Sequence, residues 1–208
     1  MRAVNRPSTF GRAFAAIFVI ALTAGCPPRT PNYDYAKEPD PRSKEQVLGV
    51  GDTVGINVWE QPNLSTEATI RPDGLITMPL VGDLRAAGET PTTLKVRIKA
   101  QLQNYIKMGP GTEVTVAVKS WKSYHFTIQG EVTKTGVFSS EQYVTVADAL
   151  AMAGGLTRFA KRSGIVLTRR NPKTGEIRQI PFDYESLASG KRPDMNIYVL
   201  PGDAIWVP

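Results

Sequence analysis

Leu48-Gly-Val-Gly-Asp-Thr-Val-Gly-Ile-Asn-Val-Trp59 is the stretch on which the fold turns. Gly51-Asp52 is turn chemistry, glycine supplying conformational freedom and aspartate bonding to its own backbone, while the apolar residues from Val54 to Trp59 read as a short strand. The first residues imitate a dinucleotide-binding loop, but Val54 stands where the third glycine belongs and a strand, not a helix, follows. The C-terminal segment Leu200-Pro-Gly-Asp-Ala-Ile-Trp-Val-Pro208 echoes the same phrase, with Gly202-Asp203 ahead of a second short apolar run. Between them, Pro72-Asp73-Gly74 and Gly82-Asp83 bracket Leu75-Ile-Thr-Met78. Pro72 presets one turn position, Gly74 tolerates positive φ, and a hairpin reversing between Ile70 and Leu75 is predicted. Asp52, Asp73, Asp83 and Asp203 therefore read as turn residues rather than the paired carboxylates of a glycosidase.

Composition bounds the rest. At about 150 residues per domain, 208 residues allow one large or two small domains. With 41% hydrophobic residues, 16 prolines and 18 glycines, the chain is folded and rich in turns. A single histidine, His125, and a single cysteine, Cys26, argue against His-based triads, CxxC pairs, Cys/His zinc sites and any internal disulfide. His125 falls on the polar side of a strand and reads as a surface residue. The phosphate-binding, zinc-protease, serine-hydrolase and EF-hand motifs are absent, so neither an enzyme nor a cofactor is expected. The formal charge of +6 includes Arg2, Arg6 and Arg12; without residues 1–25, 22 basic residues face 19 acidic ones, a balance of +3 that gives no argument for nucleic acid.

Those three arginines precede the apolar run Ala13–Leu22 and the small residues Thr23-Ala24-Gly25, the layout of a signal peptide over residues 1–25. As a helix the run reaches only about 15 Å, against about 30 Å of bilayer hydrocarbon. Cys26, directly after Ala24 and Gly25, resembles the lipidated cysteine of bacterial lipoproteins, although Thr23 stands where that motif usually has Leu. Pro27 rather than Asp after the cysteine implies, by the same resemblance, sorting to the outer membrane. Residues 26–46 carry prolines and no apolar periodicity, and are expected to form a tether of up to roughly 60 Å.

Two small β-rich units follow, 47–119 and 120–208. In the first, Thr90-Pro91 caps a helix with Leu94, Ile98, Leu102, Tyr105 and Ile106 at helical spacing, stopped by Gly109-Pro110-Gly111. Lys95, Arg97, Lys99 and Lys107 belong to its solvated side. Val114, Val116 and Val118 share one face of a returning strand. In the second unit Tyr124, Phe126 and Ile128 alternate against His125, Thr127 and Gln129. Thr145 and Asp148 resemble a capping box for a helix from Val146 to Ala153, ended by Gly154-Gly155. Strands Ile165–Thr168 and Ile177–Phe182 flank the turn 171–175; a short helix at Tyr184–Ala188 and strands Ile197–Leu200 and Ala204–Val207 complete an α+β fold.

Taken together, Leu48–Trp59, Arg71-Pro-Asp-Gly74, Met78-Pro-Leu-Val-Gly-Asp83, Gly130-Glu-Val132, Ala153-Gly-Gly-Leu-Thr157 and Leu200–Pro208 closely resemble the Wza-type polysaccharide export lipoproteins, over about Val47 to Pro208 and in the same order. The resemblance implies a polysaccharide-export domain followed by one soluble-ligand-binding β-grasp (SLBB) domain, and a homo-oligomeric ring passing capsular polysaccharide or exopolysaccharide outward from the periplasm. It further implies an inner-membrane co-polymerase as partner. Family pores cross the outer membrane with a C-terminal amphipathic helix, whereas this sequence ends at Val207-Pro208, so a separate outer-membrane β-barrel is expected to complete the channel. A carbohydrate-binding or scaffold protein that forms no conduit is the alternative, and an enzyme acting on the glycan the third reading. Arg158, Lys161, Arg162, Arg169 and Arg170 form a local basic excess, readable as a lining for an acidic polymer, a solvated rim or a subunit contact.

Overall fold

The structure is a computed structural model that describes residues 33–107, 111–172 and 174–208. The signal segment, Cys26 and the prolines before residue 32 lie outside the described residues, as do Gly109 and Pro110.

The first unit runs β1 (Thr53–Val58), β2 (Thr66–Thr69), β3 (Leu75–Met78), β4 (Gly82–Arg85), α1 (Pro91–Leu102) and β5 (Val114–Ser120). β1 lies between β2 and β5 in an antiparallel sheet, and β3 pairs with β4. The expected reversal at 71–74 is present, with the Gly74 amide donating to Arg71 O (2.8 Å) and the Arg71 amide to Leu75 O (2.9 Å). The ladder partners nevertheless differ from the prediction: β2 pairs back onto β1, and β3 pairs forward across the Pro79–Val81 turn, where Leu80 takes a positive φ of 64°.

Thr90 caps α1 in a reciprocal pair with Thr93, and Leu94, Ile98 and Leu102 are completely buried along one stripe. Each is worth about 1.5–3 kcal/mol of apolar transfer, so Ile98→Asp would unseat the helix from the sheet. α1 ends earlier than its spacing suggests. After Leu102 the chain tightens into a turn, the Tyr105 and Ile106 amides both donating to Leu102 O, and Tyr105 is left exposed.

The second unit contains β6 (His125–Gly130), β7 (Gly136–Ser139), α2 (Val146–Met152), β8 (Ile165–Arg170), β9 (Ile177–Phe182), α3 (Tyr184–Ala188) and β10 (Ala204–Val207). Its sheet order is β7-β6-β10-β8-β9, with β10 parallel to β6 and antiparallel to β8, the arrangement of a β-grasp. Phe126, Ile128, Leu167, Ile180 and Ile205 share one core with Val146, Ala149 and Leu150 of α2. Thr145 and Asp148 form the capping box, and Gly154-Gly155 close the helix, Gly155 N–H reaching back to Leu150 O.

The expected strand Ile197–Leu200 is absent apart from one bridge between Tyr198 and Thr145. Two of its carbonyls are claimed by side chains, Tyr198 O accepting from Arg169 and Val199 O from the Tyr124 hydroxyl, while Leu200 O accepts Asp203 N within the turn. The tether also differs from expectation. Residues 34–43 form two short 3-10 turns, and Tyr35 is buried in the second unit's core with its hydroxyl donating to Pro181 O at 2.6 Å. Proline content reads as linker, but one ring with a buried carbonyl to meet is enough to dock the segment.

Candidate functional site

The echoed phrases fold alike. At Gly51-Asp52 and Gly202-Asp203 the glycine takes a φ of 89° or 83°, and the aspartate Oδ2 accepts the amide three residues back, Gly49 N at 2.8 Å and Leu200 N at 2.7 Å. Both carboxylates are buried, and each spends its remaining capacity on a distant segment. Asp52 accepts Ser123 N (2.7 Å) and Ser123 Oγ (2.8 Å), tying the first unit to the start of the second. Asp203 receives the Arg169 fork at 2.6–3.2 Å. Burial pushes the Asp203 carboxyl above the ordinary carboxylate value, against the pull of Arg169.

This placement corrects the reading of Arg169 as a polymer contact. The residue is 4% exposed, its Nη1 lies 2.6 Å from the buried Glu38 carboxylate, and its Nη2 bonds Tyr198 O. Tyr33 and Arg178 also approach Glu38, so the N-terminal segment and the last turn meet on one guanidinium. A charge held this way is structural, because each of its three guanidinium nitrogens donates to an acceptor within the protein.

The other turn aspartates act at the surface. Asp73 Oδ1 accepts Leu75 N within its turn, and Arg71 bridges Asp73 and Asp83, with Thr77 donating to Asp83. Those bonds hold the Asp73 and Asp83 carboxyls below the usual range. Gly82 opens β4 with a positive φ.

Arg158, Lys161 and Arg162 stand exposed on the segment between α2 and β8. That segment is pinned: Thr157 N donates to Glu131 O, Lys161 N to Pro208 O (2.7 Å), and Arg162 O accepts Tyr184 N (2.8 Å). Arg162 and Tyr184 flank a cleft of about 350 Å³ floored by Leu150, Gly155 and Leu156. Arg170 is exposed at the end of β8, away from the other three. None of these four cations has a carboxylate partner among the described residues, whereas Lys95, Arg97 and Lys99 of α1 pair with Glu113, Glu89 and Glu113. The helix is electrically settled and the loop is not.

Glu38 and Tyr35 are structural residues that sequence reasoning missed, both lost in a proline-rich run, although the pair Tyr33 and Tyr35, whose rings lie 5.0 Å apart, was a signal of packing in that segment. Among the described residues no group of His, Cys, Asp and Glu is placed to hold a metal, and no helix is long and apolar enough to cross a membrane.

Residues 40–119 match the family described as polysaccharide biosynthesis/export protein, and residues 125–181 match the SLBB domain. The chain is 25% identical over 178 residues to the capsule polysaccharide export protein BexD of Haemophilus influenzae, covering 76% of this chain and 42% of that one. It is 24% identical over 193 residues to the capsule polysaccharide export outer membrane protein CtrA of Neisseria meningitidis serogroup A, covering 84% and 47%. To the EPS I polysaccharide export outer membrane protein EpsA of Ralstonia nicotianae it is 28% identical over 147 residues, covering 59% and 38%. The chain thus spans less than half the length of these relatives.

Proposed function

We propose, from the match of residues 40–119 to the polysaccharide biosynthesis/export protein family and of residues 125–181 to the SLBB domain, that this chain is a lipid-anchored periplasmic subunit of a capsular or exopolysaccharide export ring at the outer membrane, a transport component and not an enzyme. Cys26 carries the lipid, residues 1–25 are removed, and 47–119 and 120–208 are the two bodies of the subunit. An inner-membrane co-polymerase delivers the polymer, and a separate β-barrel supplies the hole through the outer membrane. The ring works passively: it offers a hydrated path and performs no chemistry.

The observation that carries the reading to a class of cargo is the set of uncompensated cations on the pinned loop. Arg158, Lys161 and Arg162 are exposed and lack a carboxylate partner among the described residues, and such a local cation cluster favours an anionic polymer. Replacing Lys161 and Arg162 together with Glu in a strain carrying only the variant should cut secretion of an acidic polysaccharide severalfold while the protein accumulates normally. Unchanged secretion would remove the loop from the route. Light scattering on the purified, lipidated protein tests the ring: a stable large assembly supports it, whereas a monomer that binds oligosaccharide favours a scaffold.

A further inference from the structure

The β-grasp sheet has one face in the core and one in solvent. The outer face is read from register: Trp206 of β10 lies opposite Gln129 of β6 and Val166 of β8, and one pleat along, Ala204 lies between Thr127 and Thr168, with Gln179 of β9 beyond. Trp206 is 51% exposed at the centre of this face, on the middle strand, where an indole with nothing to cover it loses apolar burial. The side chains of Thr127, Gln129, Thr168 and Gln179 make no intramolecular hydrogen bond among the described residues. The face is therefore an aromatic platform ringed by unused amides and hydroxyls.

Its charge is one-sided. The five strands contain no Asp or Glu. Arg170, about 13 Å along β8 from Val166, stands exposed at one end. Lys161, whose backbone is bonded to Pro208 just past β10, stands at the other. Of the nearby carboxylates, Glu131 is engaged by the Thr157 hydroxyl at 2.6 Å, and Glu176 belongs to the hairpin tip beyond Arg170. A flat apolar ring between neutral hydrogen-bonding groups suits the CH face and hydroxyls of a pyranose, and cations at both ends suit a chain carrying carboxylates.

We propose that the solvent face of the second unit's sheet, centred on Trp206, is a docking surface for a segment of acidic polysaccharide. This deepens the export reading and rests on it. Trp206 stacks on one sugar, Gln129 and Gln179 hold hydroxyls on either side, and Arg170 and Lys161 meet carboxylates of residues further along the chain.

The test uses the mature chain, oligogalacturonate and hyaluronate oligosaccharides as acidic probes, and poly-L-glutamate as a non-glycan anion, with affinity read by calorimetry. Binding of at least one acidic oligosaccharide is expected, weakened at least tenfold by Trp206→Ala, weakened and made less salt-sensitive by Arg170→Gln, and unchanged by Trp59→Ala, an exposed tryptophan of the first unit. No binding of either oligosaccharide, equal binding by Trp206→Ala, or equally tight binding of poly-L-glutamate would overturn the proposal. So would a Trp206→Ala chain that binds sugar normally but loses its oligomeric state, since the face would then be a contact between copies. Secretion in a deletion strain separates the two readings: if the wild-type gene fails to restore the glycan, the export function falls, whereas restoration beside an unaffected Trp206→Ala binding curve defeats the platform alone.

Discussion

Arg169 and Arg170 are neighbours in sequence with opposite fates, and replacing each in turn with Gln tests the architecture. Arg169→Gln takes the guanidinium from between two carboxylates, Glu38 and Asp203, whose side chains are each only 2% exposed. Removing one partner from a buried ionic cluster costs about 3–5 kcal/mol, because the groups left behind stay buried and charged. Against a total stability of about 5–15 kcal/mol this is a large fraction. With a urea slope of about 2 kcal/mol/M, a loss of about 4 kcal/mol lowers the unfolding midpoint by about 2 M. Arg170→Gln removes an exposed cation with no carboxylate partner among the described residues, and should move stability by less than about 0.5 kcal/mol. The deficit of Arg169→Gln should also shrink on acidification. Burial already raises the Asp203 carboxyl against the pull of Arg169, and without that pull its folded value stands further above the unfolded one, so its penalty is absent below about pH 4 and grows as pH rises. Urea titrations of both variants at pH 7 and pH 4, followed by circular dichroism, measure all of this. Midpoints for the two variants within about 0.3 M of each other at pH 7 would refute the assignment of Arg169 as the buried tie.

Asp52→Ala should cost about 2–4 kcal/mol by stranding the Gly49 and Ser123 amides, and should split thermal unfolding into two calorimetric transitions because the bond between the units is lost. A single unshifted transition would show that the joint carries no coupling. Tyr35 is pushed up to about 12 chiefly by burial. Its folded value exceeds the unfolded one near 10, so its contribution is intact below pH 10 and falls away as pH rises toward 12, by at most about 3 kcal/mol. Tyr35→Phe should remove that part of the alkaline slope while lowering stability at pH 8 by about 1 kcal/mol for the lost bond to Pro181 O, as denaturant titration at pH 8 and pH 11 would show.

The local rules that shaped the sequence reading operate over a few residues. Thr90 and Thr145 cap helices, Gly154-Gly155 ends one, and alternation at Tyr124, Phe126 and Ile128 buries one face, because each depends on neighbours within one turn or one pleat. The reading of Ile197–Leu200 as a strand failed where long-range bonds compete for backbone carbonyls. Arg169 and Arg170 had to look equivalent, since what separates them is the pairing register of β8 and the arrival of Glu38, 131 residues away in the chain from the hydrogen bonds it makes to Arg169.

From the amino-acid order alone came the two β-rich units, the turns at Gly51-Asp52 and Gly202-Asp203, the capped helices and the family likeness. Only the folded molecule decided that the proline-rich segment packs by Tyr35 onto the second unit, that Asp52 reaches Ser123, that one arginine of a pair is a buried tie, and that Trp206 faces water at the middle of a sheet. The physical reason is that turns and caps are satisfied within a few residues, whereas a buried charge or an uncovered ring is defined by which distant segments arrive, and that is fixed by the packing of the whole chain.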